Sequence, residues 1–530
     1  MESRNYFLYP LVSAVLLSIP WLFEFPGWLL FVGFVPLFLF ENYLSGLPGK
    51  GSKYVFLNWI LICFFLWNLL SAWWLGYATI VGLALFLFLN TFLMGTIWYL
   101  YHLFKKRTHE NLALVFLVSL WLSFEFLHLN WDIQLPGMTL GGAFGNQVKI
   151  VQWYEFTGVL GGSLWILAVN IFIYKLVKFF LNFRKISFQH ILSVLAVLLV
   201  PIVFSMFLYF SYSEKGEKLE FAVLQPNIDP YTEKFDKLRP DEQLEILLSL
   251  IDSAKGASFI IGPETALAPF GEDSIDLIPE IQQLKDAVSG LPEKKIIVGA
   301  NTKKFLSENE NTTITTRFLN DGKTRYEEYN SAVLIDASVP VQIYHKNILV
   351  SGVEKVPFAR YFGFLKNFFF DLGGTTGGLG AGVPLNFVVG DSLQLSPLIC
   401  FESMFGGYLG GLIRQGGEYV VVMTNDGWWK KSSGAGLHFS YSRLRAIEMR
   451  RSIVRSANTG FSGFINQRGD VLQKSDWWTR TVVTGELYGN QTLTFYARYG
   501  DYIGRFSAFV AGLLFLLFIS GRIKEKSASK

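Results

Sequence analysis

The chain has 530 residues, 51% hydrophobic and only 17% charged, with a mean hydropathy of +0.34. Soluble domains average about 25% charged residues, so an ordinary cytosolic enzyme is excluded, and 50 Phe, 23 Tyr and 15 Trp exclude a disordered or collagen-like chain. A net charge of +4, from 46 basic and 42 acidic residues, is too balanced to argue for a nucleic-acid partner. A membrane span needs about 20 largely apolar residues. Residues 6–23 and 25–40 are short apolar runs separated by Glu24, and Glu24-Phe25-Pro26-Gly27 reads as the turn of a helical hairpin. Residues 54–72, 77–104, 156–174 and 191–212 are longer and lack Lys, Arg, Asp and Glu; residues 111–131 also qualify, although they hold Glu125 and His128. Those two polar side chains read either as a functional pair or as a satisfied bundle contact. Seven spans are thus expected before a long polar segment, and residues 506–521 make an eighth.

The first run is not a cleavable signal, because a second span follows without a small-residue cleavage site. Orientation follows from Lys and Arg in short connections. Arg4, Lys50 with Lys53, Lys105-Lys106-Arg107, and Lys175, Lys178, Arg184 and Lys185 occupy every second connection, and Arg522, Lys524, Lys526 and Lys530 end the chain. The alternate connections are almost bare, with only Lys149 in the long 132–155 loop. The expected layout is a cytoplasmic N-terminus, a seven-helix membrane domain at 1–212, an exported domain at 213–500, and a final span with a basic cytoplasmic tail at 501–530.

The exported segment has a different texture. Short β-rich runs at 219–225, 258–262, 295–300, 331–335, 386–390, 393–400 and 418–424 alternate with helix-like stretches at 240–254, 279–290 and 437–451. Such alternation indicates a layered α/β domain. The Gly-rich run at 371–382 has no following Lys-Ser/Thr and reads as a loop, not a phosphate cradle. Aromatics mixed with Lys and Arg at 358–370, at Trp428-Trp429-Lys430-Lys431 and at Trp477-Trp478 suit a headgroup-level interface. Core packing is the alternative for them.

Of the two cysteines, Cys63 falls within a span, so Cys400 has no sulfur partner in the exported part. It is either a buried core residue or a nucleophile presented at a strand-to-turn position. A reactive thiol needs a proton acceptor and a positive surrounding. Only His345 and His438 are available as histidines there, and carboxylates are better placed: Glu264 follows the strand 258–262, just as Lys346 follows a strand at 341–345. Acid, amine and thiol at three strand ends form a candidate site for acyl transfer.

Gly262-Pro263-Glu264, Tyr344-His345-Lys346 and Cys400-Phe401-Glu402 resemble the Glu-Lys-Cys triad of the nitrilase, or carbon–nitrogen hydrolase, superfamily. With multispan flanks, the whole resembles the apolipoprotein N-acyltransferase family. Further ordered matches are Gln225-Pro226-Asn227-Ile228, Thr424-Asn425-Asp426-Gly427-Trp428, His438-Phe439, Arg443 to Glu448, Arg455 to Gly460, and Thr494 to Arg498. The sequence departs from the family at Ser351-Gly352-Val353-Glu354, where Pro-Phe-Gly-Glu is usual, at Phe401 in place of Tyr, and at Phe235 in place of a loop Trp.

The resemblance implies a nitrilase-like αββα sandwich joined to eight spans, in a bacterial inner membrane, with the catalytic domain periplasmic. It implies that Glu264, Lys346 and Cys400 are catalytic, that Glu354, Glu402, Phe401 and Asn425 support them, and that Phe235, Trp428 and Trp429 meet substrate. The expected reaction moves an acyl chain from a phospholipid to the N-terminal amine of an S-diacylglyceryl-Cys apolipoprotein through a thioacyl-Cys intermediate. Glu264 would be the base, with Lys346 and a backbone N–H near Phe401 stabilising the oxyanion. No cofactor, metal or nucleic acid is implied, and a monomer is expected. Competing readings are a membrane-tethered amidase acting on a small amide, and a non-enzymatic scaffold or transporter.

Overall fold

The computed structural model describes every residue except 1–2, 24–26, 48–51, 235–237, 255, 290, 292, 338, 359–377 and 522–530. Phe235 and nearly all of the aromatic run 358–370 therefore lie outside the described residues, as do most of the Gly-rich run and the turn at Glu24-Phe25-Pro26. The chain divides into two compact units. One comprises Met1–Trp131, Leu135–Ser211 and Asp501–Lys530; the other comprises Asp132–Gln134 and Tyr212–Gly500.

In the first unit, among the described residues, seven helices are long and apolar enough to cross a membrane: Gly27–Ser45, Ser52–Ala72, Ile80–Lys105, Glu110–Asn130, Tyr154–Phe183, Phe188–Ser211 and Tyr502–Ile519. Tyr6–Leu22 is apolar but shorter. The run expected at 77–104 is interrupted: Thr79 is extended, and its hydroxyl caps the Gly82 N–H at 3.2 Å, so the long helix starts at Ile80. The helix Tyr154–Phe183 continues beyond the expected 174, placing Lys175 and Lys178 in helix and not in the loop expected for them. Lys178 donates to both Glu110 oxygens at 2.8 Å, and the Tyr174 hydroxyl also donates to Glu110 at 2.8 Å. Lys105 pairs with Glu110 at 3.2 Å and with the buried Glu41 at 2.5 Å, and His102 meets Glu41 at 2.9 Å. Pairing offsets the cost of burying these charges. Glu125 accepts hydrogen bonds from Trp121 Nε1 and the Leu140 N–H, both at 3.0 Å, and so holds the following loop to the bundle. His128 packs between the rings of Phe124 and Trp131.

The second unit holds two sheets. The first contains β1 (Lys218–Gln225), β2 (Phe259–Ile261), β3 (Leu267–Gly271), β4 (Lys295–Phe305), β5 (Arg317–Phe318), β6 (Arg325–Ile335), β7 (Gln342–His345) and, from the end of the domain, β14 (Thr481–Tyr488). The second contains β8 (Phe387–Val389), β9 (Leu393–Ile399), β10 (Tyr419–Thr424), β11 (Ser452–Ala457), β12 (Gly463–Ile465) and β13 (Val471–Lys474), in the order β13-β12-β11-β10-β9-β8. Side chains alternate across a strand, and that alternation builds the layers. Phe221 and Val223 on β1 meet Tyr419, Val421 and Met423 on β10 between the sheets. Ala222 and Leu224 point the other way, under helices Pro240–Ser253 and Pro279–Val288. Val420 and Val422 likewise face helices Gly406–Arg414 and Ser433–Met449. The result is a four-layer αββα sandwich.

Two expectations fell short in length. β4 and β6 run on as a long antiparallel pair whose outer halves are polar, with Lys303 opposite Glu328 and Lys304 opposite Glu327. The helix expected at 437–451 begins at Ser433, because the Ser432 hydroxyl accepts the Gly434 N–H and caps a Gly-rich first turn.

Candidate functional site

The site forms where several strands end. After β2 the chain turns through Gly262-Pro263-Glu264, and this turn is laid against β4: the Gly299 N–H donates to the Pro263 carbonyl at 3.0 Å, and the Ala266 N–H donates to the Gly299 carbonyl at 2.8 Å. Only glycine permits this approach, since a Cβ at Gly299 would lie 2.7 Å from both the Glu264 Cα and the Pro263 oxygen. The buried Lys234 ammonium braces the turn, donating to the Thr265 hydroxyl at 2.7 Å and to the Glu264 carbonyl at 3.3 Å.

Lys346 follows β7, with its N–H bonded to the Asn330 carbonyl of β6 at 2.8 Å. Its ammonium is 2.8 Å from Glu354 Oε1 and 3.4 Å from Glu264 Oε1, and all three residues are buried. Asn330 Nδ2 donates to the same two oxygens, at 2.8 Å to Glu264 and 3.1 Å to Glu354. Burial alone would lower the Lys346 pKa. The charges of Glu354 and Glu264, with a contribution from Cys400, outweigh it and hold the ammonium well above its ordinary value.

Cys400 is the first residue past β9 and opens a single 3₁₀ turn, Cys400–Met404. Its φ of +52° is a left-handed conformation that non-glycine residues rarely adopt. Such strain persists where surrounding contacts enforce it. Here they converge on the Cys400 carbonyl, which accepts from the Ser403 hydroxyl at 2.7 Å and from His438 Nε2 at 3.0 Å. Burial pushes the Cys400 thiol up to about 12, and Glu264 adds to this while Lys346 and the Thr424 hydroxyl oppose it. The resting sulfur is thus a thiol, with a carboxylate and an ammonium acting on it together.

Glu402 ties this turn to the segment after Lys346. One carboxylate oxygen accepts the Asn347 and Ile348 N–H groups at 2.7 and 3.1 Å; the other accepts the Ile399 N–H and the Tyr344 hydroxyl, both at 2.8 Å. Burial pushes its pKa up to about 7, against the pull of the Ile399 and Ile348 N–H groups, the Tyr344 hydroxyl and the Lys346 charge. A carboxyl raised in the folded state favours folding when protonated. That stability is complete below the ordinary value of about 4.3 and is lost as pH rises through about 7. Glu402→Gln is expected to remove this slope and to cost about 1–3 kcal/mol, because its amide nitrogen faces a backbone N–H that then has no acceptor. Thermal unfolding of both proteins between pH 4 and 8 (about the span of the titration) checks this; parallel curves would refute it.

Comparison with known proteins identifies the family. The carbon–nitrogen hydrolase family model matches residues 221–492, and the model of the apolipoprotein N-acyltransferase N-terminal domain matches residues 13–172. An apolipoprotein N-acyltransferase of Chlorobaculum tepidum is 30% identical, with 97% of this chain and 96% of the relative covered. The chain belongs to the apolipoprotein N-acyltransferase family. Another relative so named, from Thermotoga maritima, is 27% identical over 76% of this chain and 70% of its own. Among solved structures, an amidase of the nitrilase superfamily from Nesterenkonia matches at 15% identity and a TM-score of 0.36, covering 55% of this chain and 97% of its own.

In this member of the apolipoprotein N-acyltransferase family, the other residues singled out in the sequence fall into two groups. Phe401 packs edge-on to Phe405 beside the Cys400 turn. Asn425 accepts from the Thr459 hydroxyl at 2.9 Å and pins the loop after β10. Trp428 packs against Tyr231, whose hydroxyl donates to the Trp428 carbonyl at 2.6 Å, and Trp429 lies edge-on to His438. Asn330, Lys234 and the buried trio Asp426, His438 and Arg455 were not singled out as site residues. His438 Nδ1 meets Asp426 Oδ1 at 2.9 Å, and Arg455 Nη2 donates to both Asp426 oxygens at 3.0 and 2.9 Å. Their only sequence signal was membership of the Thr-Asn-Asp-Gly-Trp, His-Phe and Arg-Ser-Ala-Asn matches.

Proposed function

We propose that this acyltransferase N-acylates lipoproteins by a two-step reaction on Cys400, with Glu264 and Lys346 as its catalytic partners. The observation that carries this is a buried Glu264–Lys346 ion pair, 3.4 Å apart, whose two charges both act on a strand-end thiol held in the left-handed conformation. Glu264 takes the thiol proton as sulfur attacks the ester carbonyl of a phospholipid acyl chain. Lys346 and a backbone N–H near Phe401 hold the oxyanion. The tetrahedral adduct then expels the lysophospholipid alkoxide, which recovers the proton from Glu264. The N-terminal amine of an S-diacylglyceryl-Cys apolipoprotein next attacks the thioester, Glu264 accepts its proton, and the thiolate departs and takes that proton back from Glu264 to restore the resting thiol. Glu354 and Glu402 position Lys346 and the nucleophile turn.

Supporting a lipid donor is a cleft of about 460 Å³ in the second unit, lined by Tyr231, Lys430, Lys431, Trp477 and Trp478, with Asp229 and Thr232 completing its wall. Rings beside exposed ammonium groups suit acyl-glycerol and phosphate together. Trp428 and Trp429 adjoin it in sequence, and with Phe235 they are assigned to substrate contact. The alternating basic connections support a cytoplasmic N-terminus, eight spans including Tyr6–Leu22, and a periplasmic domain at 213–500 between membrane segments at 1–212 and 501–530. The protein acts as a monomer in the bacterial inner membrane.

Intact-protein mass spectrometry tests the first step. Incubation with phosphatidylethanolamine alone is expected to add one acyl chain to Cys400, removable by hydroxylamine and absent in Cys400→Ala. An S-diacylglyceryl peptide is then expected to discharge the adduct far faster than water does. No adduct would overturn the mechanism, and equal discharge by water would favour a hydrolase.

A further inference from the structure

β9 and β10 are parallel, and their register pairs Ile399 with Met423. Cys400, the first residue past β9, and Thr424, the last of β10, therefore lie next to each other where the two strands end. Thr424 is completely buried and its hydroxyl donates to Asp426 Oδ1 at 3.1 Å. The parallel register sets this hydroxyl beside the Cys400 side chain, where it acts in favour of the thiolate. A hydroxyl has one proton to give and two lone pairs to accept with, so it can serve Asp426 or sulfur as donor, not both.

The surroundings make that choice inexpensive. Asp426 is completely buried and holds two bonds from Arg455 and one contact with His438, independent of Thr424. Burial alone would raise its pKa, but Arg455 and His438 outweigh this and hold it down at about 2. Asp426 thus stays ionised and stays bonded when the Thr424 proton turns away. Among the described residues, the charged groups acting on the sulfur are Glu264 after β2, Lys346 after β7 and Asp426 after β10, and of these only Lys346 favours the thiolate.

We propose that Thr424 is a second donor to the Cys400 sulfur, its hydroxyl passing from Asp426 to Sγ as the thiolate forms. No proton is lost in this step; one O–H···O bond is exchanged for an O–H···S bond while the thiol proton goes to Glu264. Arg455, Asp426 and His438 form the frame that keeps the hydroxyl poised and also fixes the Cys400 carbonyl. The inference rests on Cys400 being the nucleophile, and it names a catalytic residue beyond the triad.

The test is the pH dependence of Cys400 alkylation by iodoacetamide, read at the Cys400 peptide in the full-length, detergent-solubilised protein. Thr424→Val keeps the shape and removes the hydroxyl; Thr424→Ser keeps the hydroxyl. Alkylation at a fixed pH below the thiol's pKa is expected to fall about tenfold in Thr424→Val, the scale of one hydrogen bond to a charged atom, and to return in Thr424→Ser. If Thr424→Val lowers the melting temperature, Thr424→Ala is compared with Thr424→Ser in its place. Wild-type rates in Thr424→Val, or equally slow Ser and Val variants, would overturn the proposal. Failure of the underlying mechanism appears separately, as a wild-type protein that is alkylated but never acylated by phospholipid.

Discussion

Lys346→Met is expected to slow acylation of Cys400 by phospholipid on the order of 10²–10³, the loss that follows removal of one oxyanion donor. Two effects combine. The positive charge facing the developing oxyanion disappears, and the thiol loses the only ion among the described residues that favours its thiolate. A third consequence is structural. Glu264 and Glu354 are left buried with no cation between them, and breaking such a pair typically costs about 3–5 kcal/mol. Lys346→Met combined with Glu354→Gln separates the two effects, because one buried charge goes with the other. The double variant is expected to regain most of the melting temperature and none of the rate. Single-turnover acyl-enzyme formation and thermal unfolding measure these; a double variant with wild-type kinetics would remove Lys346 from the chemistry.

The two carboxylates beside Lys346 are not equivalent. Glu354 is nearer to the ammonium, at 2.8 Å against 3.4 Å, and its second oxygen is held by the Val350 N–H at 2.8 Å. A carboxylate bound so fully is poorly placed to take a proton. Glu264 receives the longer ion pair and the Asn330 bond on one oxygen. Asn330 donates to both carboxylates, and of the two it is Glu354 whose second oxygen is also held by a backbone N–H. This division matches roles of base for Glu264 and anchor for Glu354.

The strand ends were readable because β2, β7 and β9 are short apolar runs that stop at residues of sharply different chemistry. The alternation of β-rich and helix-like stretches indicated a layered α/β domain, and the αββα order came from the family resemblance. What escaped was polarity that the fold buries. Arg455 lies inside β11, completely buried, and nothing local marks it as the partner of Asp426. The pairing joins residues from β11, the loop after β10 and the helix Ser433–Met449. Asn330 was missed for a related reason: it lies midway along β6, where half the strand is charged and reads as loop until β4 supplies the matching register. In the membrane unit, hydropathy located the helices but could not place Glu41, whose partners His102 and Lys105 come from another helix.

Glu264→Gln separates proton transfer from simple electrostatics, because the two predict opposite changes at the sulfur. Glu264 raises the Cys400 pKa, so removing its charge makes the thiolate easier to form, and alkylation by iodoacetamide should quicken. Acylation needs a base during attack and should slow by about 10²–10⁴, the range for loss of general-base assistance. The pH profiles should part as well. The thiol is pushed up to about 12. A reaction that depends on free thiolate therefore gains about tenfold per pH unit across the neutral range, since each unit below a pKa is a tenfold loss of the ionised form. Acylation by Glu264→Gln is expected to follow that slope, and acylation by the wild-type enzyme, which moves the proton within the site, to rise much less steeply. If alkylation and acylation quickened together in Glu264→Gln, the carboxylate would be a brake on the thiol and the base would have to lie elsewhere.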